Sequence, residues 1–309
     1  MKIAALIKAM LGRWDLRSIK NIYLYKNVFN LLNPNYINDM KSFSTPLKAF
    51  SYAVILFSAL AFASCSKSGG SGNTPTPTPV DTVVKPVYAL VWSDEFNGTA
   101  VDTTKWHFET GGGGWGNNEQ EYYQGNNATL ANGNLLITVK KESVGGQSYT
   151  STRMTTQNRV TQTYGRIEAR IKMPVGQGMW PAFWMLGNNI NAVSWPTCGE
   201  IDIMEHINTD SLIHGSLHWN GGNTSQATLS TPSAYHVYAV EWDAKQIRFF
   251  VDDVKYDIEP ITNVSAFQLP FFLILNVAAG GNWPGQTIDD SKLPLAMYVD
   301  YVRVYKQTN

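Results

Sequence analysis

Residues 199 to 205, Gly-Glu-Ile-Asp-Ile-Met-Glu, place three carboxylates where they could act together. The two isoleucines alternate with Glu200 and Asp202, which is typical of a β-strand whose alternate side chains share a face. Glu205 has the opposite parity. One β-bulge near Met204 would add a residue and turn Glu205 to the face of the other two acids. The sequence therefore predicts a bulged strand with three acids in a row.

Acids in this arrangement could hydrolyse a glycosidic bond. The backbones of the outer two would lie about 13 Å apart, at about 6.6 Å for each pair of strand residues. Glutamates that lean inward could bring their carboxyl groups to about 5–5.5 Å, as in retaining glycosidases, whereas inverting enzymes need about 6.5–9.5 Å. The central Asp202 would favour a protonated glutamate beside it, because like charges repel.

Two other interpretations of the acids stay open on spacing alone, a calcium site and a solvated strand face. Calcium sites usually recruit ligands from a loop rather than from consecutive strand positions. A solvated face would not normally be flanked by Trp195, Pro196 and Cys198. No zinc pattern is present, because the two cysteines are far apart and the histidines lack ligand spacing.

Charge is divided unevenly along the chain. Residues 1–64 hold eight basic and two acidic residues, which leaves 16 basic and 22 acidic residues and a net charge of −6 in the remainder. A mildly acidic body argues against a nucleic-acid partner, which requires a basic face. It suits a neutral substrate, and the ten tryptophans could supply flat apolar surfaces for sugar rings.

The N-terminal part predicts export. We expect 1–39 to be an over-extended start and 40–64 to be a lipoprotein-type signal peptide, with Lys41 and Lys48 before a short apolar run. Cys65 would then be lipidated, and an ordinary cleavable signal is the alternative. Residues 65–86 form a linker that is first Gly/Ser-rich and then alternates Thr and Pro. With only two cysteines, no disulfide framework is expected.

Residues 87–309 are predicted to form one all-β domain. Residues 166–173 alternate polar and apolar side chains, and residues 271–277 are an apolar run typical of a strand buried on both faces. Asp252 and Asp253 separate two strand patterns and indicate a hairpin. No sustained helical period follows Cys65. Many short strands predict a β-jelly-roll sandwich of two antiparallel sheets with a concave substrate cleft.

The chain resembles glycoside hydrolase family 16, and within it the laminarinase-like endo-β-1,3-glucanases, over nearly the whole of residues 88–306. The acidic stretch is similar to the longer, bulged form of that family's active-site signature. The other similar stretches are Leu-Val-Trp-Ser-Asp-Glu-Phe-Asn-Gly (90–98), Gly-Trp-Gly-Asn-Asn-Glu (114–119), Gly-Met-Trp-Pro-Ala-Phe-Trp (178–184), Asn-Trp-Pro-Gly (282–285) and the closing strand 299–305.

The resemblance implies a role for each matching residue. Glu200 takes the position of the nucleophile, Asp202 that of the assisting acid and Glu205 that of the acid/base. The remaining matching positions are implied to contact the sugar: Trp115, Asn117, Arg153, Trp180, Trp184, His218 and Trp283. We expect His206 and His214 to be structural.

The resemblance also implies one structural calcium ion, held by backbone oxygens of Glu95 and Gly133 and by Asp300. Asp300 shares parity with Val302 and Val304, which predicts an inward side chain that needs a partner. No organic or metal cofactor is expected to be required for catalysis.

The function expected from the resemblance is retaining hydrolysis of laminarin-like β-glucan by an exported monomer. The protein would be secreted or held at the cell envelope, and it would touch a membrane only through a lipid on Cys65. Mixed-linkage β-1,3-1,4-glucanase activity is a close alternative. Agarase or carrageenase activity is disfavoured by the tryptophan stretches. A non-catalytic glucan-binding surface lipoprotein and a purely structural envelope protein are the alternatives of another class.

Overall fold

A computed structural model describes residues 86–309. The expectations for 1–39, 40–64, Cys65 and the linker as far as residue 85 lie outside the described residues. Within residues 86–309, no helix is long and apolar enough to cross a bilayer.

Strands dominate the described residues. In chain order they are β1 (Tyr88–Asp94), β2 (His107–Glu109), β3 (Glu121–Tyr123), β4 (Ala128–Ala131), β5 (Asn134–Val139), β6 (Tyr149–Ser151), β7 (Arg153–Thr155), β8 (Gly165–Lys172), β9 (Met179–Gly187), β10 (Glu200–Glu205), β11 (Leu212–Trp219), β12 (Gly222–Leu229), β13 (His236–Trp242), β14 (Gln246–Val251), β15 (Val254–Pro260), β16 (Phe271–Ala279) and β17 (Leu295–Gln307). The helical segments are α1 (Ile190–Val193) and three 3-10 turns, Gly125–Asn127, Ser265–Gln268 and Asp290–Lys292.

Two large antiparallel sheets form a sandwich, as the sequence predicts. One sheet has the order β15-β14-β13-β8-β17-β5-β4, with β1 also paired to β17. The other, called the catalytic sheet below, has the order β12-β11-β10-β9-β16-β7-β2. Their facing side chains form one continuous apolar core, in which Phe183 and Ile201 of the catalytic sheet are fully buried. The all-β jelly-roll prediction is confirmed.

Strand β8 and the hairpin of β14 and β15 form where the local sequence patterns predict them. Strand β8 alternates between core and half-exposed positions along much of its length. Asp252 and Asp253 form the two-residue turn between β14 and β15, with φ of 49° and 62°. Positive φ at both positions is typical of a type I′ hairpin turn, which asparagine and aspartate tolerate.

Strand β16 is buried at all nine positions, because both of its faces are covered. One face joins the main core. On the other face, Phe272 and Ile274 pack with Leu186 and Cys198 in a small second cluster. The short parallel sheet of β3 and β6 covers the end of the same face, where Ser151 Oγ donates to the Val277 carbonyl.

Asp300 does not point inward, so that expectation is wrong. The pairing of β17 with β8 shifts between Val299 and Tyr301, which makes Asp300 the extra residue of a bulge. The bulge reverses the parity, so that Val299 and Val302 are both buried. The Asp300 side chain is 36% exposed and forms an ion pair of 2.6 Å with Arg170.

Candidate active site

Strand β10 holds the three acids, and the predicted bulge is present. The pairing of β10 with β9 skips Ile203, and the pairing with β11 shifts at the same place. After the bulge Met204 is fully buried in the core. Glu205 consequently lies on the other face of the sheet, within electrostatic reach of Asp202 and Glu200. A local irregularity therefore gathers the three carboxylates.

Gly199 allows the chain to enter β10 at the required angle. Its φ is +84°, in the left-handed region that favours glycine. A Cβ at this position would lie 2.8 Å from Cζ of Phe271 and 3.0 Å from Cβ of Ala266, both of which are buried. This close approach of the Gly199 backbone to the core fixes where β10 begins and so positions Glu200.

Glu205 has the properties of a general acid. Burial raises its pKa well above the usual range of a glutamate, and Asp202 raises that pKa further whenever Asp202 is ionised. Trp180 Nε1 donates to Glu205 Oε1 at 2.9 Å, which opposes this rise and fixes the direction of the carboxyl group. A glutamate that keeps its proton near neutral pH can protonate a leaving oxygen.

Glu200 is placed to be a nucleophile. Burial raises its pKa, but nearby His218, the indole N–H of Trp195 and the charge of Arg153 oppose the rise. Trp195 Nε1 donates to Glu200 Oε2 at 3.0 Å, and the Glu200 side chain is 18% exposed. The surroundings of Glu200 therefore favour its ionised form more than the surroundings of Glu205 favour the ionised form of Glu205.

Asp202 lies between the two glutamates and is 3% exposed. Burial and the charge of Glu200 raise its pKa well above the usual range. A neutral Asp202 can donate a hydrogen bond to Glu200 and so help Glu200 to stay ionised. His218 Nε2 lies 3.2 Å from Asp202 Oδ2.

Arg153 is stacked between two tryptophans. Its guanidinium carbon lies 5.0 Å from the ring centre of Trp115 and 4.8 Å from that of Trp184. Its Nε pairs with the carboxylate of Glu109 on the adjacent strand β2. The structure thus places three of the expected sugar-contacting residues in one group and fixes the arginine by stacking and charge.

A chain of buried hydrogen bonds orients Trp184. Trp184 Nε1 donates to Asn276 Oδ1 at 2.8 Å, and Asn276 Nδ2 donates to the Tyr123 hydroxyl at 3.1 Å. The Tyr123 hydroxyl donates to Glu119 Oε2 at 3.0 Å. Asn117 Nδ2 donates to the other oxygen of Glu119 at 3.2 Å. Every donor points towards Glu119, so this carboxylate must accept at both oxygens.

Trp283 and Trp180 form an aromatic pair beside Glu205. Their rings meet edge to face with centres 5.5 Å apart, and Trp283 is 39% exposed. The ring of His214 packs against Trp283 at 4.9 Å. His206 is fully buried and contacts the carbonyl of Asp210, which agrees with a structural role.

Several residues around the acids were not singled out by sequence reasoning. Trp195, Glu109, Glu119, Tyr123 and Asn276 each contact a predicted site residue. Trp195 had a signal in its position five residues before Glu200. Glu119 closes the similar stretch 114–119. Glu109, Tyr123 and Asn276 come from distant segments, and no local pattern indicates them.

Of the expected calcium ligands, the Asp300 carboxylate is held by Arg170. The Glu95 carboxylate accepts from Arg303 Nε at 2.9 Å and Nη2 at 2.8 Å, but the ligand expected there is the backbone oxygen of Glu95. A calcium ion would therefore be held by the backbone oxygens of Glu95 and Gly133, and Asp300 fits as a ligand only when it is released from Arg170. In residues 86–309 three acidic or histidine ligand atoms converge only at Glu200, Asp202 and His218.

A jelly roll whose sheet carries two glutamates in different protonation environments, framed by tryptophans, defines the class of the glycoside hydrolases. The comparisons agree. The sequence profile described as Glycosyl hydrolases family 16 matches residues 115–303. The chain belongs to this family.

Several relatives carry the names of glucan hydrolases. The chain is 40% identical over 246 residues to a beta-glucanase of Rhodothermus marinus, which covers 72% of this chain and 86% of the relative. It is 43% identical over 238 residues to the clotting factor G alpha subunit of Tachypleus tridentatus, covering 73% of this chain but only 35% of that protein. Among solved structures, the laminarinase catalytic domain from Thermotoga maritima matches with a TM-score of 0.69 and 42% identity, over 72% of this chain and 99% of that one.

Proposed function

We propose that this chain is a retaining endo-β-1,3-glucanase that hydrolyses laminarin-like β-glucan by double displacement. One observation supports this most directly: Glu200 and Glu205 share a face of one bulged strand, and burial raises the pKa of Glu205 further than that of Glu200, which His218 and Trp195 lower. The laminarinase and beta-glucanase relatives support the substrate class. The catalytic step needs no organic cofactor, because both proton transfer and nucleophilic attack are within the reach of carboxylates.

In the first step, a carboxylate oxygen of Glu200 forms a bond to the anomeric carbon while the bond to the leaving oxygen breaks. Glu205 transfers its proton to that oxygen and becomes a carboxylate. The hydrogen bond from Trp180 stabilises the new charge on Glu205, since an indole N–H can only donate. The Glu200 ester to the sugar replaces the glycosidic bond.

In the second step, Glu205 removes a proton from water, and the water oxygen attacks the anomeric carbon. The bond to Glu200 breaks, which releases Glu200 as a carboxylate and restores the proton on Glu205. Two inversions at the same carbon give net retention. The N–H of Trp195 and the neutral Asp202 then stabilise the released charge.

The aromatic residues provide surfaces for sugar rings on both sides of the acids. Trp283, 39% exposed, lies with Trp180 near Glu205, while Trp195, 57% exposed, lies beside Glu200. Tryptophan rings with a polar edge suit the apolar faces and hydroxyl rims of glucose units. His218 and the group of Trp115, Arg153 and Trp184 extend the same surface.

The direct test measures reducing-end release from laminarin, barley mixed-linkage glucan and agarose with the purified full chain. We expect laminarin to be the preferred substrate, with retained anomeric configuration in the first product seen by NMR. Glu200→Gln should abolish turnover without altering the unfolding curve. Hydrolysis of mixed-linkage glucan alone would replace the substrate assignment with the 1,3-1,4-glucanase alternative. Laminarin binding without hydrolysis would establish the non-catalytic glucan-binding alternative.

We further propose, from the sequence alone, that the protein is an exported monomer and that Cys65 is lipidated at the cell envelope. Metabolic labelling with a fatty-acid analogue tests the anchor, and Cys65→Ser should abolish the label while leaving glucan hydrolysis intact. If the Cys65→Ser variant kept the label, the proposed lipidation of Cys65 would be wrong. The structural calcium ion also stays a proposal, tested by comparing thermal unfolding with calcium and with a chelator.

A further inference from the structure

We propose that Glu200, Asp202 and His218 form a binding site for a divalent first-row transition metal, with Zn²⁺ as the reference ion. Occupation of this site would block the enzyme in competition with its substrate. The binding site itself rests only on the geometry of these residues. Its inhibitory effect rests on the proposed function, because the metal would occupy the nucleophile.

Strand pairing brings the three ligands together. Glu200 lies directly opposite His218 across β10 and β11, and Asp202 follows on the same face. His218 Nε2 lies 3.2 Å from Asp202 Oδ2 and 3.9 Å from Glu200 Oε1, and all three ligand atoms lie within 4.8 Å of one another. Tetrahedral zinc with bonds of about 2.0–2.2 Å separates its ligand atoms by roughly 3.3–3.6 Å. Shifts of about 1 Å or less would complete the geometry.

A second observation points to a ligand. Asp202 Oδ2 is buried and accepts no aligned hydrogen bond among the described protein atoms; the nearest basic atom is His218 Nε2 at 3.2 Å, and the residue is only 3% exposed. A buried carboxylate oxygen that accepts no hydrogen bond is costly, so a cation held between it and His218 would be favourable. Trp195 holds Oε2 of Glu200 and leaves Oε1 on the side of His218.

The donor set selects the kind of metal. One imidazole and two carboxylates suit zinc and other first-row transition metals, whereas calcium and magnesium prefer six or more oxygen ligands. Glu200 and His218 keep 18% and 29% of their side-chain surface exposed, which leaves access from the cleft. Coordination would displace the proton of Asp202 to the solvent and engage the electron pair with which Glu200 attacks sugar.

Calorimetric titration of the purified full chain with ZnCl₂ tests the site. We expect one site per chain, and His218→Gln should weaken binding by tenfold or more. The matched control is His236→Gln, because His236 is also a partly exposed histidine beside an aspartate, Asp252, and lies away from the acids. Equal zinc affinity in wild type and His218→Gln would overturn the proposal. MgCl₂ should give no comparable binding.

A second measurement uses only the wild-type chain and so does not depend on the folding of a variant. A laminari-oligosaccharide at saturating concentration should raise the apparent Kd for zinc at least tenfold, and zinc should inhibit laminarin hydrolysis competitively. Zinc affinity unaffected by the oligosaccharide would overturn the competition. Zinc binding without any glucan hydrolysis would reject the proposed function and leave the metal site standing, whereas hydrolysis without zinc binding would reject the metal site alone.

Discussion

The indole nitrogen of Trp180 donates a hydrogen bond of 2.9 Å to Oε1 of Glu205. This contact joins the surface for the sugar to the acid that would protonate the leaving oxygen. It also lowers the pKa of Glu205 against a larger upward effect of burial. The proton affinity of Glu205 is therefore a balance between burial, which favours the acid form, and one donor, which favours the carboxylate.

Trp180→Phe keeps an aromatic ring but removes the donor. Without it the pKa of Glu205 should rise, so the alkaline limb of the kcat/KM profile on laminarin should move to higher pH. At the optimum, kcat should fall by about tenfold, or about 1.4 kcal/mol, because the negative charge that develops on Glu205 as its proton leaves loses its hydrogen-bond donor. A profile that keeps its alkaline limb would show that Glu205 is not the titrating acid.

Arg153→Met should move the acidic limb of the same profile. The positive charge of Arg153 lowers the pKa of Glu200. Its loss should raise that pKa, so that Glu200 becomes ionised only at higher pH and activity on the acidic side falls by about tenfold for each pKa unit. Arg170→Met, on the opposite sheet and paired with Asp300, is the control and should leave both limbs in place. An unchanged acidic limb in Arg153→Met would contradict this role.

Glu121→Gln should stabilise the protein at alkaline pH. Glu121 is fully buried, and burial together with the charge of Glu119 raises its pKa well above the usual range. A group whose pKa is raised in the folded state contributes stability that is fully present below its unfolded-state pKa and is lost as pH rises through its folded-state pKa. The loss is about 1.4 kcal/mol for each unit of difference between the two pKa values.

Glutamine imitates the neutral acid and keeps an oxygen for the Ala279 amide, which donates to Glu121 at 2.6 Å. Denaturant unfolding of wild type and Glu121→Gln at pH 5 and pH 9 checks this. We expect the variant to gain stability relative to wild type at pH 9 only. An equal difference in the free energy of unfolding between variant and wild type at pH 5 and at pH 9 would mean that Glu121 is not neutral in the folded protein.

Tyr123→Phe should break the hydrogen-bond chain that orients Trp184. Asn276 Nδ2 and Glu119 Oε2 would each lose a buried partner, at a cost of about 1–3 kcal/mol in the free energy of unfolding. KM for laminarin should rise more than kcat falls, because Trp184 belongs to the binding surface.

Tyr256→Phe is the matched control for Tyr123→Phe. The Tyr256 hydroxyl is also buried, but it has no hydrogen-bond partner among the described protein atoms. Its removal should therefore leave the free energy of unfolding unchanged or slightly increased. Equal destabilisation by the two substitutions would show that the hydroxyl of Tyr123 contributes nothing beyond its packing.

The sequence by itself determined the strands, the acids and the need for a bulge in β10. These features depend on alternation between neighbouring residues, because a strand turns successive side chains to opposite faces. Glu205 could be assigned to the face of Glu200 only by adding one residue to the strand, and the structure has that residue at Ile203. The hairpin turn at Asp252 and Asp253 was likewise predicted from the two strand patterns on either side of it.

Only the tertiary structure decided what surrounds the acids. Asn276 and Tyr123 are 153 residues apart and meet because β16 lies under the small sheet that holds Tyr123. The outward turn of Asp300 depends on a bulge in its pairing with β8, which alternation along β17 alone does not show. Side-chain partners across sheets are set by register and by the packing of distant segments. Local sequence therefore determines which face a residue occupies where the pairing is regular. The folded chain determines where a bulge reverses that face and which residue the side chain meets there.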